Sequence, residues 1–273
     1  MIHPLMAGRV GIGILSFGVV VSDFELLSQR RHFKKGGLLY WKLKPKAKLS
    51  LRNMVLTIGK PLLEYPGILS LISIRCLAAI FLLIASVVNK PAFFALLLAI
   101  VTIATFGLNS RPSTGKSGAE QMMLISLICW SSVFILHDDR AQMVPLFFLS
   151  AQLTMAYATS SLIKFGRDVR WHNGQFITEI AATSTYGRET LYVFLRDHPR
   201  IAKGGSSSLL IIELIISMAP WVPPPVCLFL LTCALMFHLM NAIIMGLNTF
   251  VYSFASTFPA ALCVSLIIYS GRR

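Results

Sequence analysis

The sequence predicts an all-α protein, a polytopic transmembrane helical bundle of about eight spans. Of its 273 residues, 55% are hydrophobic and only 13% are charged, whereas about a quarter of the residues of a soluble domain are charged. Several apolar runs reach roughly 17 to 25 residues, the length at which an α-helix crosses about 30 Å of hydrocarbon. The runs are continuous and rich in leucine, isoleucine, alanine and phenylalanine, without the alternation that marks a strand of a transmembrane barrel.

Eight spans follow from the apolar runs, with seven or nine as the alternatives. The run at Met122 is short for a full crossing, and the last two runs also fit one long element broken near Asn241 to Asn248. We expect a single transmembrane domain over residues 1–273, with polar loops at about 25–66 and 166–207. The predicted spans are Leu5 to Asp23, Gly67 to Val88, Ala92 to Leu108, Met122 to Leu136, Pro145 to Phe165, Ser208 to Val222, Val226 to Asn241, and Phe250 to Tyr269.

The formal charge of +14 is concentrated in the two polar loops and in the turn that carries Arg111 and Lys116. With eight spans these segments share one side of the membrane, which the positive-inside rule identifies as the cytoplasm. Such a face suits anionic headgroups, so membrane lipids are the expected partners and nucleic acid is not. The basic run between Lys34 and Lys60 fits the same interpretation, with a dedicated polyanion site as the alternative.

Metal and disulfide chemistry are not expected. All five cysteines fall inside apolar runs. They form no CxxC pair and no cysteine–histidine spacing of the zinc type.

Ionisable side chains inside predicted spans are costly, so each one indicates a partner or a function. Arg9 and Arg75 reach the headgroups if they lie near helix ends, or one of them pairs with Glu213 inside the bundle. A catalytic role is the alternative for Glu213. His238 and Asn241, at i and i+3, share one helical face, which serves either interhelical hydrogen bonding or a site.

The stretch from Tyr157 to Gly174 combines a helix end with a polar turn. Lys164 ends an apolar run, where desolvation lowers the pKa of an amine and makes it a candidate base. The alternative is an ordinary lysine that extends to the headgroups. Trp171 and Gly174 indicate a tight turn at the membrane interface, since Trp favours headgroup level and Gly permits close backbone approach.

Four stretches resemble the membrane domain shared by vitamin K-dependent γ-glutamyl carboxylases and their bacterial relatives, the HTTM proteins. Tyr157 to Gly174 is similar to a family pattern in which an aromatic residue, small residues and a lysine are followed by a short polar turn. A Trp comes next in that pattern, with a Gly three residues later. Phe237 to Phe250 resembles its Phe-His helix, with a later Gly and Phe. Gly118 to Gln121 resembles the polar motif at the start of one of the family's spans. Glu213 to Pro220 resembles the family's helix in which an acidic residue is followed by proline.

The resemblance implies that Lys164 is the base that deprotonates a reduced, vitamin K-like quinone. Oxygenation of that quinone gives a stronger base, which removes a γ-proton from a peptide Glu before CO₂ adds to the carbanion. The implied catalytic residues are Lys164, His238 and Asn241, and the implied pocket or structural residues are Glu120, Trp171, Gly174, Glu213 and Arg75. Near the start of the Met122 helix, the family has a histidine where this chain has Glu120. Its lysine faces the lumen, opposite to the side that the charge distribution predicts for Lys164.

The large lumenal domain of the carboxylases has no counterpart in the chain, which matches in size the short bacterial, SdpB-like members of the family. The resemblance thus implies a bacterial inner-membrane protein that takes part in maturing a small secreted antimicrobial peptide. As an enzyme it would be a quinone-dependent, carboxylase-like protein acting on peptide Glu. The alternative is a non-catalytic membrane scaffold, immunity or transport component.

Overall fold

The computed structural model describes residues 3–41, 57–88, 93–111 and 117–270, and in these ranges it contains helices and turns but no strand. The basic residues from Lys42 to Arg52, together with Lys116, lie outside the described residues. Short 3₁₀ turns occur at Arg30–Phe33 and Ala219–Trp221. The helices are α1 Pro4–Ser28, α2 Lys60–Leu63, α3 Gly67–Val88, α4 Phe94–Ser110, α5 Gly118–Ile135, α6 Asp139–Arg167, α7 Arg170–Asn173, α8 Gln175–Ala182, α9 Glu189–Asp197, α10 Pro199–Ile216, α11 Pro224–Met245, α12 Asn248–Ala255 and α13 Phe258–Ser270.

Within the described ranges, seven helical segments are long and apolar enough to cross a membrane. They are α1, α3, α5, α6, α10 with the 3₁₀ turn after it, α11, and α12 taken together with α13. The apolar α4 has 17 residues, a length of about 25 Å at 1.5 Å per residue. These segments occupy the positions of the eight predicted spans, and the prediction of an all-α multi-pass membrane protein is confirmed.

Several helices extend beyond the predicted spans. α5 begins at Gly118 because Ser117 and Glu120 form a reciprocal capping box, in which each side chain binds the backbone N–H of the other. The Met122 run therefore lies in a helix of 18 residues rather than in a short one. α1 continues to Ser28, which places Asp23 inside the helix rather than at its end.

Two interruptions shape the carboxy-terminal part of the chain. α11 ends at Met245 because Gly246 takes a left-handed conformation with φ +71°. The last span is itself divided at Ser256 and Thr257, just before Pro259, whose ring nitrogen cannot donate a helical hydrogen bond. α11 and the last span are thus separate elements.

Large apolar side chains on the outer faces of the spans are exposed. Phe81 is 58% exposed, Val87 79% and Phe229 66%. In a soluble protein such side chains on long helices would be an unfavourable surface, whereas hydrocarbon covers them at no cost. The spans therefore contact membrane lipid.

The chain forms two compact units. The first unit comprises Gly8–Asp138 and Tyr252–Ser256. In it, Trp130 is fully buried, and its indole N–H donates to the Ser256 carbonyl at 3.2 Å. A Cβ on Gly11 would lie 2.5 Å from the Trp130 ring, so only glycine permits this approach of α1 to α5.

The second unit comprises Met1–Ala7, Asp139–Val251 and Thr257–Arg273. In it, α6 packs against α10 and α13. The Thr154 hydroxyl donates to the Ser217 carbonyl at 2.9 Å, and the Ser161 hydroxyl donates to the Leu210 carbonyl at 2.8 Å. The two bonds show that α6 and α10 run antiparallel. A single domain over residues 1–273 stays a prediction.

Candidate functional site

Lys164 and Glu213 form an ion pair between α6 and α10. The Lys164 Nζ donates to both carboxylate oxygens of Glu213, at 2.7 and 2.8 Å. Glu213 is buried, with 4% of its side chain exposed, whereas 26% of the Lys164 side chain is exposed. The alternative in which Glu213 pairs with an arginine is therefore wrong, because its partner is Lys164.

The direction of the Lys164 side chain follows from the helix pairing. Leu210 lies opposite Ser161, and α6 and α10 are antiparallel, so Glu213 lies opposite a point about one turn earlier on α6. Lys164 must extend towards the amino-terminal end of its own helix to reach that carboxylate, which is the usual direction of long helical side chains. Its ammonium group thus lies deeper in the bundle than its backbone.

Aromatic rings flank the ion pair. The Lys164 Nζ lies 5.1 Å from the centroid of the Trp171 ring, within range of a cation–π interaction. Trp171 stacks on Phe176, with centroids 4.5 Å apart. The Ser206 hydroxyl donates to the Trp171 carbonyl, which holds this turn against α10.

Gly174 provides the corner between α7 and α8. It has a φ of +80°, and a Cβ there would overlap the backbone of Ala202 and Lys203. Both features require glycine. The corner therefore rests directly on the first turns of α10.

We expect Gly174→Ala to lower the free energy of unfolding by about 1 to 3 kcal/mol, because the added methyl group is both strained and overpacked. The matched control is Gly204→Ala on α10, since a Cβ on Gly204 meets no atom within 4 Å. Unfolding of the two variants in mixed micelles compares them directly. Equal stabilities would contradict the close approach at Gly174.

Tyr157 and His238 form a second polar contact. The Tyr157 hydroxyl and the His238 Nε2 are 2.6 Å apart, and both residues are buried. Phe237 and Phe250 lie against the imidazole ring. Tyr157 precedes Lys164 by two turns on the same face of α6, so one helix presents both polar groups. The half-buried Asn241 lies one turn after His238 on α11.

The other two predicted site residues belong to the first unit, where each has a partner. Arg75 is buried and pairs with the buried Asp23, with Nε 3.1 Å from each carboxylate oxygen. Its Nη1 also donates to the Thr105 hydroxyl at 3.3 Å. Glu120 is an exposed cap of α5. These contacts give both residues a structural role, and a further role in a pocket stays a prediction.

Sequence reasoning missed Asp23 and the partner of His238. The hydropathy pattern predicts Asp23 at the end of the first span, although Arg75 inside another span indicates that an acidic partner is needed. Tyr157 was part of the resemblance, but no local pattern joins it to His238. Both partners are set by contacts between helices.

Charged side chains fix the polar turn after α6. The Arg170 side chain and backbone N–H both bind Asp168, which lowers the pKa of this carboxyl below its ordinary value of 3.8. The Arg170 Nη1 also donates to Glu179 at 2.9 Å. The α7 and α8 segment is thus held together by ion pairs at neutral pH.

A cleft of about 480 Å³ lies between α8, α9 and the start of α10. Its lining includes Gly174, Thr178, Glu179, Tyr192 and Arg196. It lies beside the corner that carries Trp171. The cleft is thus close to the ion pair along the chain.

The groups that meet at the ion pair are two charged side chains and an aromatic ring. Glu213 supplies an acceptor, Lys164 a donor, and Trp171 an aromatic face. Among the described residues, no group of three or more His, Cys, Asp or Glu side chains is arranged to hold a metal ion. A carboxylate beside an ammonium group can take part in proton transfer and electrostatic stabilisation.

Comparison of the chain with family models, with curated proteins and with solved structures found no match.

Proposed function

We propose that the protein is a carboxylase-like membrane enzyme of the HTTM type that takes part in maturing a small secreted peptide. The observation that carries the proposal is the Lys164–Glu213 pair beside Trp171 at the end of α6. The proposal includes a bacterial inner membrane as its location and a reduced quinone as its cofactor.

The environment of the pair supports a chemical role. The structural pair of Arg75 and Asp23 is fully enclosed, with 4% and 0% of the side chains exposed. Lys164 instead keeps about a quarter of its side chain exposed while its partner is buried. This one-sided exposure leaves the charges of the pair within reach of a bound ligand.

A reduced quinone fits this position because it dissolves in the bilayer and carries ionisable hydroxyl groups. When bound, it would supply the oxygen-dependent strong base that peptide carboxylation needs. Glu213 and Lys164 would bind and orient a hydroxyl group, and Trp171 would contact the ring. Tyr157 and His238 would support the same face of α6.

The cleft beside the corner fits a peptide with acidic residues. Arg196 lines it, and Arg200 and Lys203 follow on exposed positions of α10. Glu179 also lines the cleft, so the side that carries Arg196, Arg200 and Lys203 would attract and orient an acidic segment. A peptide Glu destined for carboxylation is the matching substrate.

The proposal is tested by producing the secreted peptide in cells with variants of the protein. Lys164→Ala combined with Glu213→Ala removes both charges, so that neither is left buried alone. We expect this variant to insert normally and to abolish maturation, including any mass gain of one CO₂ on Glu. The matched control is His3→Ala with Asp139→Ala, which removes a contact whose side chains are 54% and 74% exposed and should leave maturation in place.

A non-catalytic scaffold, immunity or transport component is the second candidate. The Asp23–Arg75 pair favours this second candidate, because the pair shows that ion pairs between the spans of this bundle can have a structural role. Full maturation by the Lys164/Glu213 double variant would support this candidate and reject catalysis at the pair.

A further inference from the structure

We infer that residues 30–41, which follow the first span, form a binding site for the headgroups of anionic phospholipids. This segment, the basic knuckle, presents four basic side chains and one apolar side chain on its surface. It belongs to the first compact unit, whereas the Lys164–Glu213 pair belongs to the second. Lipid binding at the basic knuckle is therefore independent of the proposed function.

The basic knuckle lies where α1 and α4 end and α3 begins. It starts two residues after the end of α1. Phe33 is buried against Ile68 and Ile72 in the first turns of α3. Arg111, directly after α4, donates to the Leu39 carbonyl at 2.9 Å. Since the ends of spans lie near the headgroups, the basic knuckle lies at headgroup level.

Backbone contacts fix the shape of the basic knuckle. The Leu39 N–H donates to the His32 carbonyl at 3.0 Å, and the Tyr40 N–H donates to the Gly37 carbonyl at 3.0 Å. A Cβ on Gly37 would overlap the His32 carbonyl, so only glycine permits this close approach. A closed turn of defined shape therefore carries the basic side chains.

Arg111 supports this turn and is not free to bind a headgroup. Its guanidinium carbon lies 5.3 Å from the centroid of the Phe33 ring and 5.7 Å from that of the Trp41 ring, both within range of a cation–π interaction. Its Nη2 is engaged by the Leu39 carbonyl. The exposed basic side chains of the turn are thus the ones that meet a ligand.

Four exposed basic side chains of the basic knuckle have no counter-charge. They are Arg30, Arg31, Lys34 and Lys35. None of the four forms an ion pair with any described residue, and the sequence has no acidic residue between Leu26 and Trp41. A phosphate group supplies the missing charge, and each basic residue near an anionic surface strengthens association about fivefold.

Leu38 gives the same surface an apolar tip. It is 90% exposed, more than any other large apolar side chain of the described residues. An apolar side chain among bases suits the membrane interface, where it enters the acyl boundary while the bases contact phosphates. A soluble phosphate ion would use the bases but not Leu38. The combination therefore favours a phospholipid over a free anion.

Tryptophan fluorescence of a Leu38→Trp variant tests which lipids lie at the tip. The full-length variant is placed in phosphatidylcholine vesicles that contain a minor share of phosphatidylglycerol, and one lipid at a time carries bromine, a quencher, on its acyl chains. The wild-type signal is subtracted to remove the native tryptophans. Per lipid molecule, we expect phosphatidylglycerol to quench at least about threefold more strongly than phosphatidylcholine. Equal quenching by the two lipids, or none by either, would overturn the inference.

Two further variants separate the site from ordinary lipid contact. In the Leu38→Trp protein, glutamine at all four basic positions should bring the quenching ratio close to one. The matched control is Phe81→Trp in the otherwise unchanged protein, because Phe81 is 58% exposed within the span α3 of the same unit, and both lipids should quench it equally. A preference for phosphatidylglycerol that survives the glutamine substitutions, or that Phe81→Trp shares in full, would contradict a site at the basic knuckle.

Inorganic phosphate distinguishes the lipid from a free anion. When it replaces chloride at constant ionic strength, the quenching of Leu38→Trp by brominated phosphatidylglycerol should stay unchanged. Recovery of the fluorescence would mean that the bases bind the soluble ion, and the assignment of a phospholipid would be wrong.

Discussion

Replacing Arg75 with methionine is expected to lower the free energy of unfolding by about 3 to 5 kcal/mol, a large loss for one side chain. Asp23 has no exposed surface in the structure, and Arg75 supplies both its counter-charge and its hydrogen bonds. The variant leaves a carboxylate in the bundle interior. Reversible unfolding in mixed micelles measures the change.

A double variant separates the charge effect from packing. Asp23→Leu with Arg75→Met removes both charges and keeps similar volumes, and such replacements are often neutral or stabilising. We expect its stability to return close to that of the wild type. A further control is Arg196→Met, which interrupts an exposed ion pair and should change stability little. A double variant as unstable as Arg75→Met alone would show that packing, not charge, sets the loss.

The fold was predictable because hydrophobic length is a local property of a sequence. Each of the eight predicted spans coincides with a helical segment of the structure, and Gly67–Val88 agrees at both ends. The boundaries that differ do so for identifiable reasons. α5 begins early because a cap satisfies its first N–H groups. α1 continues past Asp23, whose charge is neutralised by Arg75 from another helix.

The members of the candidate site were predictable, but their pairing was not. Lys164, Glu213 and His238 stood out because ionisable groups in apolar runs are costly. Their partners lie 49 and 81 residues away in the chain, and no short-range pattern encodes such distances. The choice between an arginine and Lys164 for Glu213 depends on the register of α6 against α10, which only packing defines.

The Lys164–Glu213 pair is expected to respond unequally to the loss of its two members. Lys164→Met leaves the buried Glu213 carboxylate without its counter-ion, so we expect a loss of about 3 kcal/mol or more. Glu213→Gln leaves a long, partly exposed lysine that can turn towards water or headgroups, and we expect a loss of about 1 kcal/mol. Unfolding of both variants in mixed micelles gives the two values.

The double variant Lys164→Met with Glu213→Gln completes the cycle. It holds no unpaired charge, so its stability should lie above that of Lys164→Met alone, and the coupling free energy should be clearly different from zero. Additive losses would mean that the two groups do not interact. Equal losses in the single variants would mean that Lys164 is as confined as Glu213, and the site would then lack the reachable cation on which proton exchange depends. The asymmetry therefore links the stability of the pair to its proposed chemistry.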